Sequence, residues 1–300
     1  MTGTFLKRLA AGERLVADGA TGTNYQHQGL RPGVPPEEWN IDCPEKVLAV
    51  HRNFVQAGAD ILLTNSFGGT RLRMADAKYG HRVVEINKRA ADIALQAAHT
   101  GSNVLVAGSM GPTGALLQPL GPLKSDQVIE AYAEQAEALT DAGVDFLLLE
   151  TMFSLDEAVA AITGVRQGSR LPLVCSFSFD RGVFTMMGVT PTQVVETLRP
   201  LGLAAIGANC GMTLDYMVQV VSEFLAADPG VPLWVKPNAG LPRGGTILPE
   251  YDVGPAEMAD YAKQFALAGA QIVGGCCGTT PEHVKSIAQA LKFESRASHA

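Results

Sequence analysis

Eight short runs rich in Val, Ile, Leu and Ala recur along the whole chain, and each gives way to Gly, Pro or Asn and then to a stretch with helical spacing of its apolar residues. The runs occupy residues 14–18, 60–64, 103–108, 145–150, 173–177, 204–209, 233–236 and 271–274. Each is apolar on both faces, which predicts strands buried from two sides, the pattern of a parallel sheet. The helical stretches, at 44–57, 82–98, 125–142, 155–165, 191–198, 214–225, 255–267 and 281–291, supply the crossovers. Eight is the number of strands that closes into a (β/α)8 TIM barrel, and that fold is expected here. An open doubly wound sheet is the alternative. It calls for GxGxxG directly after the first strand, and Asp18-Gly-Ala-Thr-Gly-Thr23 has the wrong glycine spacing.

Helix boundaries are well marked. Pro44, Pro191, Pro255 and Pro281 sit where a first helical turn tolerates proline, with Thr190 and Thr280 placed to cap. The phrases Ala57-Gly58-Ala59, Ala142-Gly143-Val144 and Ala268-Gly269-Ala270 each put a glycine at a helix stop just ahead of a strand. A single barrel domain over residues 1–292 is expected, followed by a polar tail at 293–300.

Composition narrows the function classes. With 300 residues, 47% of them hydrophobic, the chain can bury a full core, and 23 basic against 30 acidic residues, a net charge of −7, argue against nucleic acid as a ligand. No apolar run reaches the roughly 18 residues of a membrane span and the start lacks an apolar signal core, so a cytoplasmic protein is expected. Five cysteines are too few and too scattered for a disulfide framework.

In a barrel of this kind chemistry gathers at the C-terminal ends of the strands. There the sequence places Asp18, Thr64-Asn65-Ser66, Glu150, Asn209-Cys210, Lys236-Pro-Asn238 and Gly274-Gly-Cys276-Cys277-Gly278. Cys210, Cys276 and Cys277 thus converge on one opening, and thiolates that converge bind soft metals, zinc above all. Adjacent cysteines on a regular strand point to opposite faces, so sharing an ion requires the backbone to leave strand geometry, which Gly274, Gly275 and Gly278 permit. Cys43 and Cys175 read as packing residues.

Three thiolates and one zinc ion leave a fourth position for a substrate thiol, lower its pKa and make it a nucleophile, so the expected reaction is S-alkylation. Glu150 and Asp18 are placed to hold an ammonium group. The turn at 19–23, with Gly22 and Thr23, offers backbone N–H groups to a carboxylate, and Asn65 and Ser66 stand at the neighbouring strand top. Together these describe an amino-acid thiol.

Seven segments, Asp18-Gly-Ala-Thr-Gly-Thr23, Leu63-Thr-Asn-Ser-Phe67, Gly111-Pro-Thr-Gly114, Leu149-Glu-Thr151, Gly207-Ala-Asn-Cys210, Lys236-Pro-Asn-Ala-Gly240 and Gly274-Gly-Cys-Cys-Gly-Thr-Thr-Pro-Glu-His283, resemble the zinc-dependent homocysteine S-methyltransferase family over nearly the whole chain. The resemblance implies Cys210, Cys276 and Cys277 as metal ligands, homocysteine as the thiol, and Glu150 and Asp18 as contacts to its ammonium. By the same resemblance Asn238 either ligates zinc when no thiol is bound or stabilises its loop. The methyl donor stays open: a small onium compound such as betaine or S-methylmethionine facing Trp39, Tyr25 and Phe67, or a methyl-corrinoid protein docking in trans. The segments Glu38-Trp-Asn-Ile-Asp-Cys-Pro-Glu45 and Lys236-Pro-Asn-Ala-Gly240 are most similar to the homocysteine module of cobalamin-dependent methionine synthase. Another thiol or a selenol as acceptor, and a non-catalytic thiol-binding role, are the competing readings.

Overall fold

A computed structural model describes residues 3–244 and 248–297. Eight parallel strands, β1 Leu15–Val16, β2 Ile61–Leu63, β3 Leu105–Met110, β4 Phe146–Met152, β5 Leu173–Phe177, β6 Ala205–Cys210, β7 Leu233–Pro237 and β8 Ala270–Val273, pair in the order β1-β8-β7-β6-β5-β4-β3-β2. The ring closes between β1 and β2, where the Asp60 N–H donates to the Val16 carbonyl (2.7 Å) and the Asp18 N–H to the Ile61 carbonyl (3.0 Å). This is the (β/α)8 barrel that the eight apolar runs imply.

Eleven helices accompany the strands among the described residues: α1 Thr4–Ala10, α2 Thr21–His27, α3 Trp39–Asp42, α4 Pro44–Ala57, α5 Val83–Ala98, α6 Ser125–Asp141, α7 Leu155–Gly168, α8 Pro191–Leu198, α9 Leu214–Ala226, α10 Pro255–Ala268 and α11 Pro281–Ala297. Gly58, Gly143 and Gly269, the glycines of the repeated phrase, have φ of 96°, 93° and 125°, backbone that an L-residue adopts only under strain. The Thr190 hydroxyl accepts from the Gln193 N–H and opens α8 as a capping box.

Three short helices, α1, α2 and α3, escape the periodicity analysis because seven residues or fewer hold too little pattern to register. The turn read at 19–23 is shorter than expected, since α2 already begins at Thr21. At the other end α11 runs on past Leu291 to Ala297, into the stretch read as a polar tail, where no Gly or Pro intervenes to stop it. Residues 298–300 of that stretch lie outside the described residues.

Inside the barrel the period-two alternation of each strand stacks side chains in layers. The lower layers are apolar, with Leu63, Ala107, Leu148, Val174 and Trp234 among them. Helix α1 closes the bottom by inserting Phe5, whose ring stacks on Phe146 with centroids 3.9 Å apart, and Trp234 meets Phe146 edge-on at 6.3 Å. No helix among the described residues is long and apolar enough to cross a membrane.

Candidate active site

Two residues beyond each apolar layer, the same inward face turns polar. Ala107 gives way to Ser109, Leu148 to Glu150, Val174 to Ser176, Gly207 to Asn209 and Trp234 to Lys236, and all five polar residues are buried. Buried polar groups must find partners among themselves, and these do. The Ser109 hydroxyl bonds Glu150 Oε1. Asn209 Oδ1 accepts from Ser176 Oγ and from the Thr151 N–H (2.8 Å), while its Nδ2 donates to Thr151 Oγ1 (2.7 Å). Lys236 Nζ is 2.6 Å from Asp18 Oδ1, and Asp18 Oδ2 accepts from the Leu63 N–H (2.8 Å).

The polar layer is the floor of a cavity of about 480 Å³ at the C-terminal mouth, within the usual range of small-molecule sites, roughly 300–1,000 Å³. Gly22, Thr23, Asn65, Glu150, Lys236, Cys210, Cys276 and Cys277 are in its wall. The three sulfurs lie within 4.8 Å of one another, Cys210 and Cys276 being 2.9 Å apart. A tetrahedral ion about 2.3 Å from each sulfur would set sulfurs about 3.8 Å apart, so the trio is grouped closely enough to hold one metal ion, although the 2.9 Å between Cys210 and Cys276 would have to widen around it.

The chain bends sharply to bring these sulfurs together. Strand β8 ends at Val273, so the cysteine pair lies past regular strand geometry. Gly278 follows with φ of 80°, and a Cβ there would strike the Tyr251 ring at 2.2 Å. Cys210 itself has φ of 58°, and Thr151, atop β4, has φ of 61°. Left-handed non-glycine residues are uncommon and cluster at functional sites. The loops are then tied by β7: the Pro237 carbonyl accepts from the Cys276 N–H (2.7 Å), and Asn238 accepts from the Cys277 N–H (3.0 Å) while donating to the Gly211 carbonyl (2.9 Å).

Electrostatics follow from burial and from the crowding of charge. Burial pushes the Glu150 carboxyl up to about 7, with Lys236 opposing the shift and Cys276 adding to it. Burial alone would lower Lys236, but the Asp18 and Glu150 carboxylates outweigh it and hold the ammonium charged. The Cys277 sulfur accepts from Cys210 and Cys276, which draws its pKa well down.

Three expected contacts do not reach the wall. Asp18 is fully buried, with both carboxylate oxygens taken by Lys236 and the Leu63 N–H. Ser66 is fully buried too, its hydroxyl bound to the Ser109 carbonyl (2.7 Å) and to Thr64. Asn238 spends both ends of its amide on the two cysteine loops, which is the loop-stabilising alternative.

The expected aromatic face is also closed. Tyr25 and Trp39 are buried in the outer core, and Phe67, which does line the cavity, already carries the Arg73 guanidinium 5.2 Å above its ring. Lys236 and Asn209 are placed at strand tops by the sequence but given no role there, and Ser109 and Thr151 are not singled out as site residues. The period-two continuation of each strand was the signal that pointed to Ser109, Asn209 and Lys236, whereas the conformation of Thr151 left no trace in sequence.

A family model described as homocysteine S-methyltransferase matches residues 15–291. The methionine synthase of Mycobacterium tuberculosis (strain ATCC 25618 / H37Rv) is 33% identical over 293 residues, covering 92% of this chain and 24% of the relative. The methionine synthase of Mycobacterium leprae (strain TN) is 32% identical over 304 residues, covering 96% and 25%. The chain therefore spans about a quarter of the length of these relatives. Among solved structures, the homocysteine methyltransferase MmuM from Escherichia coli superimposes in its metallated form with a TM-score of 0.81 at 24% identity, covering 95% of this chain and 99% of that one. Its oxidized form gives 0.78 at 25% identity, covering 95% and 98%.

Proposed function

Because this chain belongs to the homocysteine S-methyltransferase family, we propose that its cavity takes homocysteine and that the homocysteine sulfur accepts a methyl group to give methionine. The observation that carries the reading is the grouping of Cys210, Cys276 and Cys277, three soft donors and no fourth among the described residues, in the wall of a cavity of about 480 Å³ that has room for an amino-acid thiol. Cys210, Cys276 and Cys277 would hold a zinc ion, which would supply the Lewis acidity that lowers the pKa of a substrate thiol. The chain's own groups do the rest. Asn238 and Pro237 fix the loops that carry the cysteines, and Asn209, with Nδ2 3.9 Å from Cys276 Sγ, fixes the floor beneath them. Glu150 takes the substrate ammonium, and the wall holds the sulfur in line with the incoming methyl carbon. The new bond joins sulfur to that carbon, while the electron pair of the broken bond stays with the donor.

For the donor we favour a methyl-corrinoid protein in trans. Cation–π binding of a small onium compound would use an open aromatic face, and Tyr25 and Trp39 are buried while Phe67 already carries Arg73. Leu120, Phe184, Met186, Leu241 and Leu248 are exposed on the loops after β3, β5 and β7, at the end of the barrel that carries the cavity, and offer apolar groups to a protein partner. The test supplies zinc-loaded protein and homocysteine with methylcobalamin, betaine, S-methylmethionine or S-adenosylmethionine. Methionine from methylcobalamin alone supports the reading. Methionine from an onium donor alone overturns the donor assignment, and failure to bind homocysteine overturns the whole.

A further inference from the structure

The cysteine pair after β8 has a neighbour to which the proposed reaction gives no task. Tyr251 lies on the stretch leading into α10, half-buried against the outer core and behind the cavity wall rather than in it. Its ring rests on the backbone of Gly278, the residue after Cys277, so closely that a Cβ there would overlap the ring carbons. Its hydroxyl is hydrogen-bonded to the Cys277 side chain.

Several ties hold the tyrosine in that position. The Val253 N–H donates to the Ala239 carbonyl (3.1 Å) and the Ala239 N–H to the Cys277 carbonyl (2.9 Å), so Tyr251 and Cys277 hang on the same short run of backbone bonds. Asp252 pairs with Arg243. On α11 the Thr280 N–H donates to His283 Nδ1 (3.1 Å), which leaves Nε2 to carry the ring proton and donate it to the Val253 carbonyl (2.9 Å). The histidine that ends the Gly-Gly-Cys-Cys-Gly segment thus anchors the loop that brings the tyrosine back to that segment.

A tyrosine hydroxyl is protonated at neutral pH, and toward a thiolate it can only donate. Cys210 and Cys276 also hydrogen-bond to Cys277, but they do so as thiols, and a metal ion takes the place of their protons. The Tyr251 proton is not displaced. Three thiolates around one divalent ion carry a net negative charge, and a donor on one sulfur draws part of that charge away from the metal. We propose that Tyr251 is a positioning residue of the metal centre: its hydroxyl donates to the Cys277 sulfur, favours the thiolate that grips the ion, and leaves the ion more electrophilic toward an incoming thiol. The proposal rests on the reading of Cys210, Cys276 and Cys277 as the zinc ligands and adds the group that tunes one of them.

Tyr251→Phe keeps the ring on Gly278 and removes only the hydroxyl. In competition with a chelator the variant should hold zinc about 10- to 100-fold more weakly than wild type, the usual loss when the outer partner of a metal ligand is removed. In the cobalt(II)-loaded proteins the sulfur-to-metal charge-transfer absorption should lie at longer wavelength in the variant, because a sulfur relieved of its hydrogen bond gives up electron density more readily. Unchanged zinc affinity overturns the proposal. An unmoved absorption overturns it too, even with weaker zinc binding, since altered packing of the loop accounts for affinity alone. Wild-type protein that holds neither metal removes instead the ligand reading on which the proposal rests.

Discussion

Replacing Glu150 by Gln keeps the shape of the side chain and its contact with Ser109 while removing the charge that the substrate ammonium needs. A charge-assisted hydrogen bond contributes about 1.5–3 kcal/mol, so with the carboxylate ionised the wild-type protein should bind homocysteine roughly 10- to 150-fold more tightly than the variant. The pH dependence makes the test sharp. Burial raises the Glu150 pKa to about 7, so the binding form is the minority on the acid side and affinity rises as pH climbs through that value. Between about pH 8 and pH 6 the ionised fraction falls about tenfold, so the wild-type advantage should shrink by the same factor. Homocysteine's own thiol ionisation changes in the same direction, but it affects both proteins alike and cancels in the ratio of their affinities. Calorimetric titration of the two zinc-loaded proteins at both pH values measures that ratio. A ratio equal at the two pH values refutes the assignment of Glu150 as the ammonium acceptor, and a variant that binds as tightly as wild type at pH 8 refutes it outright.

Two further outcomes are expected. Cys210→Ala removes one of three soft donors, so zinc content after purification under reducing conditions should fall from near one per chain to a small fraction of that, measured by atomic emission; full retention would take Cys210 out of the site. His51, on α4, is fully buried with neither ring nitrogen hydrogen-bonded among the described residues, and burial lowers its pKa from 6.5 to about 4. The folded protein thus holds it neutral, and the stability this confers is complete above pH 6.5 and is lost as pH falls toward about 4, at about 1.4 kcal/mol per unit and about 3 kcal/mol in all. Denaturant unfolding of wild type and His51→Leu across that range should show the steeper acid loss in the wild type, and parallel profiles would refute the account.

The sequence by itself determined the eight strands, their helical crossovers, the closure into a barrel and the gathering of Cys210, Cys276 and Cys277 at one end. All of these follow from local signals: apolar runs of strand length, proline and glycine at helix ends, and the rule that strand tops face one mouth. Glu150, too, was visible as a charge ending an apolar run, and it lines the cavity. What escaped were the contacts between residues far apart in the chain. Asp18 looked like a ligand contact because nothing near it announces Lys236, 218 positions away, whose ammonium claims it. Asn238 and Ser66 likewise looked available until the fold supplied the backbone groups that occupy them. Phe5 shows the same limit at the opposite end, since a seven-residue helix has no reason to matter until Phe146 and Trp234 offer it a floor to close. Residue types and their spacing decide which groups arrive at the mouth. Which of them remain free to meet a substrate is settled by burial, because each polar group withdrawn from water must be satisfied by whatever neighbour the tertiary structure brings.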